Sequence, residues 1–509
     1  VVTLRWRDSV LIIEGLAEDT YLTKKLSYWK AETQIKGYKR IYVPQLKEMF
    51  WKQDGYLLTM PGFLFKVRGI LREFGIEPII FDERTPSPKP NVEAAMDGLW
   101  PAQQPIVYTM LMSGGGILSG PTGIGKTAMA AALIRAYSHE ELTLRGTSLS
   151  VFACPERDIN VKNYHSLKKF LPHRDVGILQ SGHKKIITDD VMVITYDSLQ
   201  NIDLTQVGVF IGDEVHAGVS ESRAEQIQKI EHAIKFGVSA TPGGRYDGRD
   251  PVIEGLFGPV VFRKTYQEAV ADGILVPIKV IWVEAPSPEI GMVRYLGMKT
   301  REGKIGQGII RNNAYNKMLA DIMMGIPEDK QTIAITPTIE HISRVRRYYP
   351  DMAVVHAETA QASLISRGFE NVPAVSTKDR KKIYDRVNSG DIRKIMCTYV
   401  YKQGVDFPGL EIMINAGGGG SEIAAKQIPG RASRKSKDKD AAVLIDFWHP
   451  WDRKTLENGK QTDGPLLGDD KKRRKFYGEL GFEQVWVKGA GEVFPLLAQG
   501  EGKADETKI

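Results

Sequence analysis

Two cysteines are all that 509 residues contain, Cys154 and Cys397, each inside an apolar run and far from the other. Such a pair supplies neither a disulfide framework nor the clustered spacing of a zinc site. It suits a reducing compartment, with both thiols as small core residues. No uninterrupted apolar run approaches the roughly 18 residues that a membrane-spanning helix needs. No secretory leader is visible either, so no membrane association is expected. The chain opens on Val1 rather than a methionine, which leaves room for residues ahead of it. Charge of one sign is also scarce. Lys and Arg total 69 against 62 Asp and Glu, a net +7 that is too even to name a partner by itself. Short-period repeats and low-complexity tracts are missing. What remains, 42% hydrophobic and 26% charged, is an ordinary globular composition with length for about three domains.

Proline punctuates the chain most clearly at Thr85-Pro-Ser-Pro-Lys-Pro90, which can continue neither a helix nor a central strand. Residues 1–85 before it suit a small α+β domain, with a β-rich start at 2–13 and a helix-like stretch at 20–31; 86–96 then serve as linker. Beyond, short β-branched runs at 150–153, 191–195, 207–212 and 235–239 alternate with helical patterns. A second such series runs through 278–283, 332–336, 353–356, 394–398, 411–415 and 441–446. Alternation of this kind implies parallel sheets covered by helices. The expected architecture is α/β: two tandem P-loop-type lobes at 97–275 and 276–488, then a flexible tail at 489–509.

The strongest chemical signal is Gly120-Pro-Thr122-Gly123-Ile-Gly125-Lys126-Thr127, preceded by the apolar strand at 116–119 and followed by a helical run. Backbone amides of such a loop cradle phosphates, Lys126 reaches the terminal ones and Thr127 ligates magnesium. Alone, this describes many kinases and GTPases. Asp213-Glu214 narrows the choice, because the apolar strand at 207–212 delivers both carboxylates to the edge of the sheet that bears the loop. Asp213 can then hold magnesium through water, and Glu214 can orient and deprotonate an attacking water. Arg431 and Arg434, three apart, are expected on one helix face of the second lobe, where an arginine can stabilise charge on the transferred phosphate. ATP and Mg2+ are the implied ligands.

In their order along the chain these blocks resemble superfamily 2 helicases of the DExH type, over about residues 97–450. The resemblance implies two RecA-like lobes and further roles. Gln103 would read adenine, Pro155 and Thr195 would contact nucleic acid from the first lobe, and Thr336 and Thr398 from the second. Gly404 and Asp406 would lie near the nucleotide, and Gln427 near the γ-phosphate. His216, Ser239 and Thr241 would couple the nucleotide site to the track. Residues 1–85 are similar to the front domain of phage recombination and fork-remodelling helicases of that superfamily. This implies branched DNA as substrate, recombination or replication proteins as partners, and the cytoplasm of a bacterial or phage-infected cell. A monomer is expected in the absence of DNA.

Residues 22–72 hold 11 Lys or Arg against three acidic residues, a larger local excess than the whole chain carries. Lys30, Lys39, Arg40 and Lys52 lie among Trp29, Tyr42 and Trp51, a pattern suited to phosphates and unpaired bases. Half or more of those rings are needed for the core of so short a domain. One departure from the family pattern is the polar stretch 358–378, expected as a surface loop or hairpin, either touching nucleic acid near the strand junction or serving no contact at all. Three alternatives stay open: the motor subunit of a restriction system, an RNA helicase, and an ATP-clamped annealing protein. No nuclease-like cluster accompanies the motor, which weighs against a complete restriction enzyme.

Overall fold

The computed structural model describes residues 1–16, 20–36, 39–144, 146–186, 190–218, 220–240, 249–398, 407, 409–420, 429–436, 439–455 and 459–498, with backbone only at 20, 31–36, 39–44, 183 and 184. The chain divides into two compact units, Val1–Lys264 and Thr265–Ile509.

The first unit begins with β1 (Thr3–Trp6) and β2 (Leu11–Glu14), then a helix restricted to Thr20–Lys25. From Ser27 the chain is strand, not the continued helix that the sequence suggested. β3 (Ser27–Lys36) pairs with β4 (Lys39–Glu48) over ten residue pairs as a separate ribbon. Trp29, Thr33 and Ile35 favour a pleated backbone, and cross-strand pairing overrides the weak helical periodicity. β5 (Phe50–Gln53), β6 (Tyr56–Thr59) and β7 (Ile79–Asp82) complete a sheet in the order β5-β6-β2-β1-β7.

The larger sheet of this unit holds β8 (Gly116–Ser119), β9 (Leu149–Cys154), β10 (Val176–Gln180), β11 (His183–Lys185), β12 (Val191–Thr195), β13 (Val207–Asp213), β14 (Ile234–Ser239) and β15 (Val260–Arg263). Its order is β11-β10-β12-β9-β13-β14-β8-β15, and every neighbouring pair except β10 with β11 is parallel. β9 and β12 are buried along their whole length. They therefore read as mainly apolar runs without alternation, Ser150 and Thr195 being their buried polar residues.

The front sheet shares a core with the larger sheet. Leu4, Leu11, Phe63 and Val67 belong to the same buried cluster as Ile194, Phe210 and Phe257. Gly62 makes the junction possible: a Cβ there would lie 2.2 Å from the carbonyl oxygen of Glu254 and 2.6 Å from that of Gly255. Lys66 adds an ion pair to Glu254 at 3.1 Å. Gly62→Ala is expected to cost about 1–3 kcal/mol through overpacking against backbone that cannot move aside. A lowered urea midpoint for this unit is the measurement. The proline-rich stretch is likewise tied down: Asp8 accepts from the backbone N–H and hydroxyl of Thr85 at 3.0 and 2.6 Å, and the Asn91 N–H donates to Ala136 O at 2.8 Å.

The second unit carries β16 (Ile278–Glu284), β17 (Thr332–Ile335), β18 (Ala353–Val355), β19 (Lys394–Cys397), β20 (Ile412–Asn415) and β21 (Ala442–Trp448). A small hairpin, β22 (Arg453–Thr455) with β23 (Gln461–Asp463), precedes β24 (Glu483–Val487). The main sheet is wholly parallel, in the order β18-β19-β17-β20-β21-β16-β24. This unit starts before the boundary expected at 276, because Tyr266 packs its ring on Phe482 at 4.8 Å and donates its hydroxyl to Val276 O at 2.5 Å.

The stretch 358–378 is not a hairpin. It holds the helix Gln361–Ser366 and buries Leu364, Val372 and Val375, so part of it is core. Nor does fraying begin at Gly489. Val493 is buried and the helix Val493–Ala498 follows, while the expected tail from 499 on lies outside the described residues. Both cysteines are buried as expected, and burial pushes the Cys397 thiol up to about 12. Among the described residues no helix is long and apolar enough to cross a membrane.

Candidate nucleotide-binding site

β8 ends at Ser119 and the helix Lys126–Arg135 begins seven residues on, so the glycine-rich loop turns the chain between sheet and helix. Gly123 and Gly125 take φ of 100° and 86°, a left-handed backbone that side chains disfavour. At Gly125 space forbids a side chain as well, since a Cβ would lie 2.2 Å from Nε2 of Gln103. No side chain caps this helix, which leaves its first amides for an anion. Gly120 is fixed by its N–H, which donates to Ser239 O at 3.0 Å, and Thr122 lies within the same loop.

Gln103 is buried behind the loop. Its Nε2 donates to Ile124 O at 3.0 Å and its Oε1 accepts from the Trp100 N–H at 3.1 Å. In this structure its visible work is bracing the loop.

β13 delivers the carboxylates. Asp213 closes the strand, and Glu214 turns sharply with φ 46°, one of two non-glycine residues in the left-handed region among the described residues. Such a backbone costs of order 1 kcal/mol or more and concentrates at functional sites. The turn brings Glu214 Oε1 to 3.5 Å from Lys126 Nζ. Glu214 Oε2 accepts from the Ser239 hydroxyl at 3.2 Å and lies 3.4 Å from His216 Nδ1, which is 3.1 Å from Ser239 Oγ. His216 and Ser239 thus converge on Glu214, while Thr241 lies outside the described residues.

Burial acts on both carboxyls but ends differently for each. For Glu214 the desolvation is outweighed by Lys126, then His216 and the Ser239 hydrogen bond, so its pKa falls and it stays ionised. For Asp213 desolvation and the neighbouring Glu214 charge push the pKa up, against the smaller pull of Lys126. A buried carboxyl raised in this way gains from a nearby cation.

Asn163 was missed by the sequence reading. It projects from the helix Arg157–Phe170, accepts from the Thr127 hydroxyl at 3.4 Å and donates to Asp213 Oδ2 at 3.5 Å. The available signal was a polar pair, Asn160 and Asn163, on the buried stripe of an amphipathic helix. Tyr196, the residue after Thr195, braces the site from another side. Its hydroxyl donates to the Asp213 carbonyl at 2.9 Å and holds the end of β13.

The second unit answers less of what was expected. Gly404, Asp406 and Gln427 lie outside the described residues. Arg431 sits in a single turn, Pro429–Ala432, and Arg434 lies past it, bridged to Leu275. The two do not share a helix face, because the helix stops before Arg434 and extended pairing takes over. Arg434 is largely withdrawn from water, and desolvation lowers its pKa to about 10. Thr336 is buried with its hydroxyl donated to Cys397 O at 3.3 Å, so it presents nothing to a polynucleotide here. Thr398, partly exposed, donates its N–H to Val355 O at 3.1 Å.

Pro155 and Thr195, at the ends of β9 and β12, do come together on a cavity of about 850 Å3, with Arg157, Gln180 and Asn201. In the front domain Lys30 pairs with the exposed Glu221 at 2.6 Å. Lys52 is exposed, as are Trp29 at 64% and Trp51 at 37%. The side chains of Lys39 and Arg40 lie outside what is described.

Residues 99–244 match the family described as type III restriction enzyme, res subunit, and residues 315–436 match the helicase conserved C-terminal domain. DNA 3'-5' translocase XPB2 of Sulfurisphaera tokodaii is 26% identical over 428 residues, covering 79% of this chain and 92% of that relative. Dbp5 of S. cerevisiae, solved with RNA and ADP BeF3, is similar in fold at a TM-score of 0.51 and 14% identity, over 81% of this chain and 99% of that one. T4 UvsW overlaps 96% of this chain and 99% of its own at 18% identity, but its TM-score of 0.40 is too loose to support closer kinship.

Proposed function

Because this chain belongs to the superfamily 2 helicases and is an ATP-dependent helicase or translocase, we propose that its track is DNA and that its substrates are branched: forks, Holliday-type junctions and displacement loops. The observation that carries the catalytic half is the 3.5 Å approach of Lys126 to Glu214 beneath a loop whose glycines admit no side chain. The choice of DNA rests on the likeness to a DNA translocase over most of the chain. The choice of branched substrates rests on the basic front segment with its exposed Trp29 and Trp51.

The donor set fits magnesium, since the Thr127 hydroxyl and the cation-seeking Asp213 carboxyl are held by one amide, Asn163. Thr127 would hold the ion directly and Asp213 through water, and the ion would neutralise charge on the phosphates. Lys126 leaves Glu214 for the terminal phosphate when ATP enters. Glu214, already ionised, then takes a proton from the water that attacks that phosphate. Gln103 keeps the loop in shape and reads adenine. His216 and Ser239, both against Glu214, sense whether its carboxylate faces lysine or water.

From the second unit, Arg431 and Arg434 stabilise the charge that builds on the transferred phosphate, with Gln427, Gly404 and Asp406 around the nucleotide. Hydrolysis therefore requires closure of the two lobes, which is how it becomes movement along a strand. Pro155, Thr195, Thr398 and Lys52 contact the backbone. Such contacts carry little sequence preference and weaken steeply with salt.

The test is steady-state ATPase activity with single-stranded DNA, linear duplex, a fork, a four-way junction and RNA. Fork and junction are expected to stimulate most, with strand displacement or branch migration on the same substrates. Equal stimulation by linear duplex would favour the restriction-type motor, the reading suggested by the family match of the first lobe. Stimulation by RNA alone would sink the DNA assignment.

A further inference from the structure

The first unit holds another cavity, at the end of the parallel sheet opposite the phosphate loop. It encloses about 460 Å3 where the front sheet meets the first residues of β8 and β14. Phe65, Met112 and Phe257 give it apolar walls, the first two 57% and 51% exposed. Trp6 lines it too, edge to face with Phe65 at 6.4 Å.

Most charged groups around this cavity are already settled. Arg84 is bidentate to Asp82 at 2.8 and 2.6 Å, and its guanidinium lies over the Trp6 ring. Asp8 accepts from Thr85 twice and pairs with His232 at 3.1 Å. Lys235 is different. Among the described residues no carboxylate stands within ion-pair distance of it, and burial drives its pKa down to about 8, with Glu231 and Asp8 countering only from farther off. The indole Nε1 of Trp6 is buried and has no acceptor among the described residues. It offers no accessible surface, so Lys235 is the donor left to a ligand, and a cation without a carboxylate beside it gains from an anion brought to it.

We propose that this cavity binds a small organic anion, its flat apolar body against Trp6, Phe65 and Phe257 and its carboxylate or sulfonate on Lys235. The volume lies in the range of small-molecule sites and favours a free ligand over a length of peptide. Since β8 runs from this cavity to the phosphate loop, an occupant there touches the same strand that positions the nucleotide. The inference stands independently of the substrate assigned above.

The probe is 1-naphthoate, with neutral 1-naphthalenemethanol as its control, titrated into the full chain. Indole N–H resonances report binding, and Trp6→Phe identifies the one signal of the eight tryptophans that belongs to Trp6. Saturable movement of that resonance by 1-naphthoate is expected, with affinity weaker by about tenfold or more for the neutral control. Lys235→Met should weaken naphthoate by a similar factor and Lys235→Arg should restore it, with basal ATPase activity unchanged in both. An unmoved Trp6 resonance overturns the proposal. Equal affinity for the neutral control does so too, and that comparison needs no variant to fold. Saturation by a glutamate-rich peptide but not by 1-naphthoate would overturn it in favour of a protein partner.

Discussion

Glu214→Gln is expected to lower ATP turnover by about 10²–10⁴-fold, the range for loss of a positioned general base, while ATP binding persists. Glutamine keeps the size of the side chain and its hydrogen bond with Ser239, but cannot take a proton from water. The ionised state of Glu214 is what the substitution removes, and that state depends on Lys126 and His216 overcoming the cost of burial. Removal of one negative charge from beside Asp213 and the incoming phosphates should leave nucleotide affinity equal or tighter. Lys126→Ala provides the contrast, since it removes the cation itself and both binding and turnover should go. Equilibrium binding of a fluorescent ATP analogue, set beside single-turnover hydrolysis, separates the two. Retention of near-normal hydrolysis by Glu214→Gln would move the base to another group.

Arg434→Ala should bind ATP but hydrolyse it about 10³-fold more slowly, the scale of lost arginine-finger stabilisation. Arg434 is a more pointed choice than Arg431 because it lies past the short helical turn, tethered to Leu275 near the start of the second unit. A guanidinium largely withdrawn from water, with its pKa lowered by that burial, gains from an anion brought to it. Burial also makes the variant prone to destabilisation, so the thermal midpoint is measured beside the rate. A rate loss with an unchanged midpoint supports a role on the phosphate. Near-normal hydrolysis by a folded Arg434→Ala protein would remove this arginine from the reaction and leave Arg431 as the candidate.

The phosphate loop, the Asp213-Glu214 pair and the alternation of strand and helix were legible in the sequence for a common reason. Each is a local matter. Gly123 and Gly125 are required by the backbone angles of the loop itself, and an apolar strand followed by two carboxylates carries its geometry with it. The order of the two lobes follows from the same short-range signals repeated along the chain.

Long-range packing decided the rest. Residues 27–36 became strand because a partner strand lay alongside, and the front domain joined the first lobe because Gly62 let two backbones meet. Arg434 left the expected helix face because it pairs with Leu275, more than a hundred residues earlier in the chain. Asn163 reached Thr127 and Asp213 only because three separate elements converge on one point. Local chemistry can be read along a chain, whereas such meetings depend on which distant surfaces bury each other, and that is settled only when the whole unit folds.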